Sequence, residues 1–430
     1  MTSETSLVKQ SIVRRSQRIS TRISTSAGNK LSHSVLETSS WTARTRRSTK
    51  AHEDITQRAV VLQSDASLLG KAQEDHLETT VAESIILPKT TTFKGRLGYA
   101  CLNTLMRGLK PDPVFCSRTC RIDTILKKGL DYVKSLALQN VCDLLKIIEW
   151  NEIHNIRFMR ISSDLFPFAS HGEYGYDISF AKEELQAVGA LAKKYNHRLT
   201  SHPGQFTQLA SPKNNVVTAS IRELEYHTKF MDLMGLDKDG VIIVHMGGTY
   251  GDKEAALARF KENYQEKLNS NIKARLVLEN DEFCYNIEEL LPISQELNIP
   301  IVIDYHHDWL YPSSRSIAKL IPIVNDVWMR KGIRPKQHLS SPRPGAITIV
   351  EKRGHAKRCY TLPEELPNDM DLMIEAKDKE QAVFELYRIY GLHPVDEASW
   401  RPELIVDVEE LADDVIPSTS RKRRKTNLKE

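Results

Sequence analysis

The sequence lacks any apolar run near the roughly 18 residues that a membrane-spanning helix needs, and its start has no apolar core of a secretory signal. Its six cysteines show no framework spacing. Cys116 and Cys120 are the nearest pair, and no second pair completes a zinc site. We therefore expect an intracellular protein with reduced thiols and no membrane contact.

Acidic and large apolar residues are scarce in the first fifty positions. This stretch holds ten Lys or Arg, two Asp or Glu and twenty Ser or Thr. Such a segment cannot bury enough apolar surface to offset the entropy of ordering it, so we expect residues 1–92 to form a disordered basic region. One interpretation is a basic arm that binds nucleic acid; the other is a solvated tail or a mitochondrial leader.

Residues 393–430 are predicted to form a weakly structured tail with a compact basic cluster. The cluster consists of Arg421-Lys422-Arg423-Arg424-Lys425. Clusters of this kind suit nuclear import or a phosphate-binding patch. We expect a nuclear protein, with mitochondria as an additional destination because the start of the chain is rich in Ser and Arg.

Between these regions, residues 93–392 contain eight short apolar segments separated by amphipathic stretches. Seven of the eight segments deliver His, Asp or Glu at or near their carboxyl ends. The segments lie at residues 97–102, 156–161, 198–201, 241–244, 276–278, 299–303, 336–339 and 371–375. Alternating strands and helices argue for a parallel sheet, and eight such units predict a closed (β/α)₈ TIM barrel with its active site on the carboxyl rim.

The amphipathic stretches predict helices between the strands. Pro212 suits the first turn of one helix, and Asp252 suits the N-cap of another. The predicted helices span residues 121–150, 179–196, 212–234, 252–273, 286–297, 314–330 and 377–390.

The strand ends supply a set of imidazoles and carboxylates that suits divalent zinc, manganese or iron. The candidate ligands are His202, His245, Glu279, Asp304, His307, His338, His355 and Glu375. These are too many for one ion, but two or three ions that share a bridging carboxylate would use them all. Clustered ions of this kind are typical of phosphodiester hydrolysis.

The loops near this rim favour a polyanionic substrate. Residues 331–358 contain eight Lys or Arg and one acid, Glu351. Two aromatic residues, Tyr99 and Phe206, lie beside the strand ends and could stack on unpaired bases. Trp309 and Tyr311 could stack in the same way or pack in the barrel, and the sequence favours neither.

Several motifs resemble the UV damage endonuclease family, in order, from about residue 94 to 392. The motifs are Arg96-Leu97-Gly98-Tyr99, Phe168-Ala169-Ser170-His171, Ser201-His202-Pro203-Gly204-Gln205, Val244-His245-Met246-Gly247-Gly248, Leu278-Glu279-Asn280-Asp281-Glu282 and Met373-Ile374-Glu375-Ala376-Lys377. The resemblance implies an endonuclease IV-like barrel that nicks DNA immediately 5′ to cyclobutane dimers and 6-4 photoproducts. The nick would leave a 3′-hydroxyl and a 5′-phosphate and would start excision repair.

The resemblance also implies a role for each candidate ligand. His202, His245 and Glu279 would hold one ion, and Glu279 would bridge to a second. The second ion would be held by Asp304, His338 and Glu375, and the third by His307 and His355. Manganese is the expected metal, with zinc or magnesium as alternatives. Some relatives carry a His where Ile347 stands, so we take His355 as its substitute.

The same resemblance implies the substrate contacts. Gln205 and Phe206 would wedge into the duplex opposite the lesion, with Tyr99 assisting and Asn103 near the substrate. The residues expected to line the site as catalytic groups are His171 and Lys336. Some relatives have Tyr in place of Phe206, which would preserve stacking without the hydroxyl.

Four functions stay open at this point. The first is a UV damage endonuclease that acts as a monomer on UV-damaged double-stranded DNA and hands its product to downstream excision-repair enzymes. The alternatives are an AP endonuclease of the endonuclease IV type, a metal-dependent sugar isomerase on the same barrel, and a non-catalytic damage sensor. A small sugar does not require basic loops or a Gln–aromatic wedge, and a sensor does not require eight ligands.

Overall fold

The computed structural model describes residues 88–403, and within them eight parallel strands form one sheet in the order β6-β5-β4-β3-β2-β1-β8-β7. The strands are β1 (Arg96–Ala100), β2 (Phe158–Ile161), β3 (Arg198–Ser201), β4 (Ile242–His245), β5 (Leu276–Glu279), β6 (Ile301–Val302), β7 (Lys336–Leu339) and β8 (Asp371–Ile374). A parallel bridge between Asp304 and His338 joins the chain after β6 to β7. The predicted closed barrel is therefore confirmed.

Helices alternate with the strands around the barrel. They are α1 (Thr104–Arg107), α2 (Ile122–Lys128), α3 (Leu130–Ile153), α4 (Lys182–Lys194), α5 (Asn214–Met234), α6 (Lys253–Lys267), α7 (Ser270–Arg275), α8 (Ile287–Leu297), α9 (Tyr305–Leu310), α10 (Ile317–Lys331), α11 (Ile349–Lys352) and α12 (Glu380–Tyr390). Asp252 caps α6 as predicted, since its side chain accepts a hydrogen bond from the N–H of Ala255.

Three predicted helix boundaries were wrong. The helix expected over 121–150 is broken at Gly129, whose φ of 79° is accessible to glycine but not to a continuing helix. The helix expected over 252–273 ends at Lys267, and Asn269 caps a new one. Pro212 does not occupy a first helical turn, because α5 begins at Asn214.

The strands are buried on both faces, as a parallel sheet enclosed by helices requires. β5 and β8 are buried at every position. Gly98 in β1 lies so close to β2 that an added Cβ would stand 2.3 Å from the carbonyl oxygen of Phe158. Packing of the barrel wall therefore fixes glycine at this position.

Asp371 gathers three arginines at the amino end of the barrel, opposite the carboxyl rim. It pairs with Arg96 at 2.7 Å, with Arg198 at 2.8 Å and with Arg334 at 3.3 Å. Burial opposes ionisation of Asp371, but the charges of Arg198 and Arg96 outweigh it and lower the pKa. This cluster links β1, β3 and β8 with the segment before β7, at the end of the barrel that carries none of the candidate ligands.

Residues 1–87 and 404–430, including Arg421-Lys422-Arg423-Arg424-Lys425, lie outside the described residues. Ordered contacts extend slightly beyond the predicted barrel limits of 93 and 392. The N–H of Lys89 donates to the carbonyl oxygen of Ile389, and the Trp400 ring lies 5.0 Å from Arg358 and 4.5 Å from Arg388. Across residues 88–403, no helix has the length and apolarity to cross a membrane.

Candidate metal centre

Glu279, the last residue of β5, is 1% exposed and lies at the centre of the carboxyl rim. Its Oε2 is 2.9 Å from Nε2 of His202 and 3.6 Å from Nε2 of His245. Its Oε1 is 2.5 Å from Nδ1 of His338. One buried carboxylate thus contacts ligand atoms from three other strand ends.

Three groups of side chains within the described residues could each hold an ion, and Glu279 belongs to all three. In each group the potential ligand atoms lie within 4.8 Å of one another. The groups are His202–His245–Glu279, Glu279–His338–Glu375 and Glu279–Asp304–His307. Seven of the eight sequence-predicted ligands are therefore brought together.

The barrel explains this convergence. His245 and Glu279 end β4 and β5, His202 follows β3 directly, and Glu375 follows β8. Parallel strands deliver their last residues to one rim, so side chains far apart in sequence meet there. His338 lies within β7 and is fully buried.

Asn280 holds two of the ligands in place. Its side chain donates to the carbonyl oxygen of Asp304 at 3.0 Å and accepts from the N–H of Asp304 at 2.8 Å. Its own carbonyl oxygen lies 2.9 Å from Nδ1 of His307. That contact directs Nε2 of the His307 ring away from the backbone. Metal-binding histidines are commonly oriented by such a hydrogen bond to the ring nitrogen that does not bind the metal.

Two carboxylates of the centre, Glu279 and Glu375, have a lowered pKa. Burial opposes ionisation of Glu279, but the neighbouring His338 and His245, with hydrogen bonds from His202 and His338, lower its pKa well below the usual value. Burial also opposes ionisation of Glu375, and the charge of its hydrogen-bonded partner Arg160 outweighs it and lowers the pKa. Two buried anions that share a rim provide the charge that cations neutralise.

Two imidazoles of the centre, His202 and His307, differ in pKa because their surroundings differ. Burial lowers the pKa of His202 to about 4 and favours the neutral ring that binds metal. Burial opposes protonation of His307 as well, but the carboxylates of Asp304 and Glu279 outweigh it and raise its pKa to about 9. The two carboxylates thus favour the protonated form of the His307 ring.

Lys336 lies inside the barrel, fully buried, and its Nζ is hydrogen-bonded to Nε2 of His338. Burial lowers the pKa of Lys336 to about 7. The hydrogen bond leaves Nδ1 of His338 facing Glu279 and Glu375. Lys336 therefore contacts a candidate ligand and holds its ring in place, and its predicted role as a catalytic group stays a prediction.

The residues present fit a divalent metal cluster. Oδ1 of Asp304 accepts from the N–H groups of His306 and His307, but its buried Oδ2 has no hydrogen-bond partner within the described part of the chain. A buried carboxylate oxygen without a partner is costly unless a cation completes it. Carboxylate oxygen with imidazole nitrogen is also a donor set for manganese or zinc.

His355 does not join any of the three groups. Its Nδ1 lies 2.6 Å from the carbonyl oxygen of Glu375, and its ring lies 5.5 Å from that of His306. His306 is occupied elsewhere, because its ring nitrogens contact Ser340 Oγ at 2.7 Å and the carbonyl oxygen of Lys352 at 2.9 Å. His355 thus borders the centre beside Glu375 without reaching the shared carboxylate.

Tyr99 and Asn103 are enclosed within the protein. Both are fully buried, and the Tyr99 hydroxyl donates to Asn151 at 2.7 Å and accepts from Asn103 at 3.1 Å. Asn103 also caps α1. Their hydrogen bonds are satisfied inside the protein, and the substrate contacts expected of them stay a prediction.

His171 lies in the loop after β2, apart from the three groups. Its Nδ1 accepts hydrogen bonds from the N–H groups of Glu173 and Tyr174, both at 3.1 Å. With Arg222 and Lys229 it lines a cavity of about 450 Å³. His171 belongs to none of the three groups, and its catalytic role stays a prediction.

Gln205 and Phe206 form an exposed turn next to His202. The Phe206 side chain is 82% exposed, so it does not pack in the barrel. The N–H of Thr207 donates to the carbonyl oxygen of Gly204 at 3.0 Å, and Gln208 donates to that of Gln205 at 2.7 Å. An aromatic ring is thus presented to solvent on a fixed turn beside a candidate ligand.

The basic rim is smaller than predicted, because half of its charges are used elsewhere. Arg358 is buried and pairs with Asp378 and Glu385. Lys331 donates to the carbonyl oxygens of Lys273 and Leu276. Arg334 pairs with Asp371, and Lys336 is hydrogen-bonded to His338. The basic residues left near the rim are Arg343, Lys352, Arg353 and Lys357, and Arg353 among them pairs with Glu282.

Sequence reasoning missed two residues of the centre, Arg160 and Asn280. Arg160 in β2 pairs with Glu375, and a charged residue within an otherwise apolar strand was the available signal. Asn280 follows Glu279 directly, within the motif Leu278-Glu279-Asn280-Asp281-Glu282. Its function depends on the position of Asp304, which only the folded chain reveals.

Comparison with known proteins agrees with this geometry. The family model described as UV-endonuclease UvdE matches residues 95–401. The UV-damage endonuclease of Schizosaccharomyces pombe is 53% identical over 316 residues, covering 71% of this chain and 52% of that protein. The corresponding enzyme of Neurospora crassa is 46% identical over 342 residues, covering 70% and 52%. The chain thus spans about half the length of these two relatives.

Among solved structures, the crystal structure of SacUVDE is 31% identical, with a TM-score of 0.60. The match covers 69% of this chain and 97% of SacUVDE. Nearly the whole of SacUVDE therefore has a counterpart in this chain. A family match over residues 95–401 and relatives of this identity show that the chain belongs to the UV-endonuclease UvdE family.

Proposed function

We propose that this protein is a metal-dependent endonuclease that nicks double-stranded DNA immediately 5′ to UV photoproducts. Its substrates would be cyclobutane dimers and 6-4 photoproducts, and its products a 3′-hydroxyl and a 5′-phosphate. The observation that carries the proposal is Glu279, shared by three potential ion sites next to the exposed turn of Gln205 and Phe206.

We further propose two or three ions, with manganese as the metal. His202, His245, Glu279, Asp304, His307, His338 and Glu375 would hold them. When bound, such ions activate water, neutralise the scissile phosphate and stabilise the leaving oxygen. His355, which borders the centre beside Glu375, would join His307 at a third ion.

The protein's own residues support each remaining part of the reaction. Arg160 keeps Glu375 ionised, and Lys336 fixes the ring of His338, so the ligand set is preorganised. Phe206 can stack on a base or fill the gap left by extruded nucleotides, and Gln205 can hydrogen-bond an unpaired base edge. A dimer stacks and pairs poorly, so extruding it costs less than extruding normal bases.

The wider biology follows from the same proposal. A 3′-hydroxyl product suits a polymerase, so downstream excision-repair enzymes would complete the repair. The basic cluster Arg421-Lys422-Arg423-Arg424-Lys425 favours nuclear import, and the Ser/Arg-rich start allows a mitochondrial destination too. We propose that the protein acts as a monomer.

The test is a nicking assay on matched end-labelled duplexes: UV-irradiated, undamaged, and carrying one abasic site. In manganese the proposal expects a nick directly 5′ to the photoproduct, with a 3′ end that a polymerase extends. Cleavage confined to the abasic duplex would instead favour an AP endonuclease. Binding without any cleavage in manganese, zinc or magnesium would favour a damage sensor.

A further inference from the structure

A loop between β7 and β8, residues 341–354, protrudes from the rim and is held rigidly at its base. Pro342 and His355 form an antiparallel bridge, and the N–H of Arg343 donates to the carbonyl oxygen of Gly354 at 2.8 Å. Within the loop, Thr348 and Glu351 form a capping box around α11. We call residues 341–354 the rim loop.

The tip of the rim loop is apolar and exposed. Ile347 is 82%, Ile349 68% and Val350 76% exposed. Three branched aliphatic side chains within four residues form a compact patch that faces solvent. Branched side chains on a rigid support suit insertion into another molecule, because little rotamer freedom remains to be lost.

The rim loop is continuous with the metal centre. The carbonyl oxygen of Lys352 lies 2.9 Å from Nε2 of His306, one residue from the candidate ligand His307. Arg353 donates to Glu282 at 2.8 Å. A substrate held at the metal centre therefore lies beside the rim loop.

The charge of the rim loop fits DNA. Arg343 is 54% exposed, and Nζ of Lys352 lies 5.6 Å from the centre of the exposed Trp309 ring. Glu351, the acid of this loop, accepts hydrogen bonds from the backbone N–H groups of Ile347 and Thr348. Apolar wedges flanked by cations are how many proteins unstack and bend a duplex.

The topology places this loop opposite the Phe206 turn. Four steps around the closed ring separate β3 from β7 in either direction. The two apolar protrusions, Phe206 after β3 and the rim-loop tip after β7, therefore stand on opposite sides of Glu279. A duplex lying across the centre would meet both.

Resting on the proposed function, we infer that the rim-loop tip is a second wedge. Ile347, Ile349 and Val350 unstack a base step of the duplex on the side of the centre opposite Phe206. Together the two wedges hold the DNA bent over the metal centre. This role concerns the apolar tip and is separate from phosphate contacts by the basic residues.

The test compares the full chain with the triple variant Ile347→Ser/Ile349→Ser/Val350→Ser. Affinity for an irradiated duplex should fall at least about tenfold, because the unstacked step loses its apolar support. The slope of log Kd against log salt should stay unchanged, because no cation is removed. A 2-aminopurine probe moved along the duplex should report two unstacked regions with the wild type and one with the variant.

A matched control is Leu126→Ser/Ile153→Ser/Met329→Ser, which removes side chains that are 69%, 75% and 67% exposed elsewhere on the molecule. It should bind within about twofold of the wild type. The conservative variant Ile347→Val/Ile349→Val should retain the second unstacked region. Wild-type affinity in the serine triple variant, or equal losses in the control, would overturn the wedge and leave the proposed function intact. A wild type that binds no irradiated duplex would overturn both.

Discussion

Oε1 of Glu279 lies 2.5 Å from Nδ1 of His338, although 59 residues separate them in sequence. The two residues come from β5 and β7, with β6 between them. The other oxygen of Glu279 faces His202 from β3, so one carboxylate spans the rim of the barrel. A carboxylate with both oxygens directed at different imidazoles is placed to bridge two cations once the imidazoles bind them.

Glu279→Gln should abolish nicking while the barrel stays folded. The amide replaces one anionic oxygen with an NH₂ group, which removes the shared charge from all three groups. Lewis-acid stabilisation contributes several kcal/mol, hence orders of magnitude in rate. The measurement is single-turnover nicking of an irradiated duplex, with circular dichroism as the test of folding.

Glu296→Gln is the matched control for that variant. Glu296 lies in α8, pairs with Lys261 and belongs to none of the three groups. Its rate should stay within about threefold of the wild type, a difference of roughly 0.7 kcal/mol. More than about a tenth of wild-type nicking in Glu279→Gln, roughly 1.4 kcal/mol, would exclude the bridging role.

Phe206→Ala and Gln205→Ala should weaken binding to irradiated duplex much more than binding to undamaged duplex. Stacking contributes about 1–3 kcal/mol per base, and it is available only where bases are unstacked. The measurement is fluorescence anisotropy on both duplexes, with metal content determined in parallel. Equal weakening on both duplexes, or a loss of metal, would instead make the turn a structural support for His202.

Deletion of residues 1–87 should leave nicking of a short irradiated duplex largely intact, because every candidate ligand lies within residues 202–375. Lys89 should be kept, since its N–H bonds to Ile389 and its side chain to Tyr360. Binding should become weaker and less salt-dependent if the removed cations contact phosphates. Loss of folding in the truncated chain would refute the prediction.

Stability should fall with pH below about 6.5, partly through His197. Burial, helped by the charge of Arg96, lowers the pKa of His197 to about 3, whereas the ordinary value is 6.5. Between these values the unfolded chain binds one more proton, so the free energy of unfolding decreases by up to about 1.4 kcal/mol per pH unit as pH falls. The stability is fully present above pH 6.5.

His197→Gln isolates this contribution, because all other histidines titrate in both proteins. Urea unfolding without metal at pH 7.5, 6.5 and 5.5 should show the wild type losing about 1 kcal/mol more than the variant between the last two values. Glutamine retains an acceptor for Asn151, whose Nδ2 lies 3.3 Å from His197 Nε2. Parallel losses in the two proteins would show that His197 does not titrate in this window.

The strands and most of the ligands were predictable because their signal is local. Val241 to Val244 is apolar, and His245 ends the strand that it forms. Eight repeats of that pattern require a barrel, and a barrel brings strand ends together. The grouping of His202, His245 and Glu279 follows from topology without knowledge of any distance.

The misassigned features depend on contacts between distant residues. Arg334 was assigned to the rim, but it pairs with Asp371 at the opposite end of the barrel, an interaction that no local pattern reports. Tyr99 carried the right chemistry for stacking, yet it is buried against Asn151 from α3. The break at Gly129 was missed because the apolar period continues on both sides of it.

The most direct test of the central claim is the number of metal ions bound per chain, measured by native mass spectrometry of manganese-loaded wild type and Glu279→Gln. Because Glu279 belongs to all three groups, the account predicts two or three ions in the wild type and the loss of at least one in the variant. A wild-type protein that nicks irradiated DNA with one ion or none, or an unchanged count in Glu279→Gln, would contradict the shared-carboxylate centre.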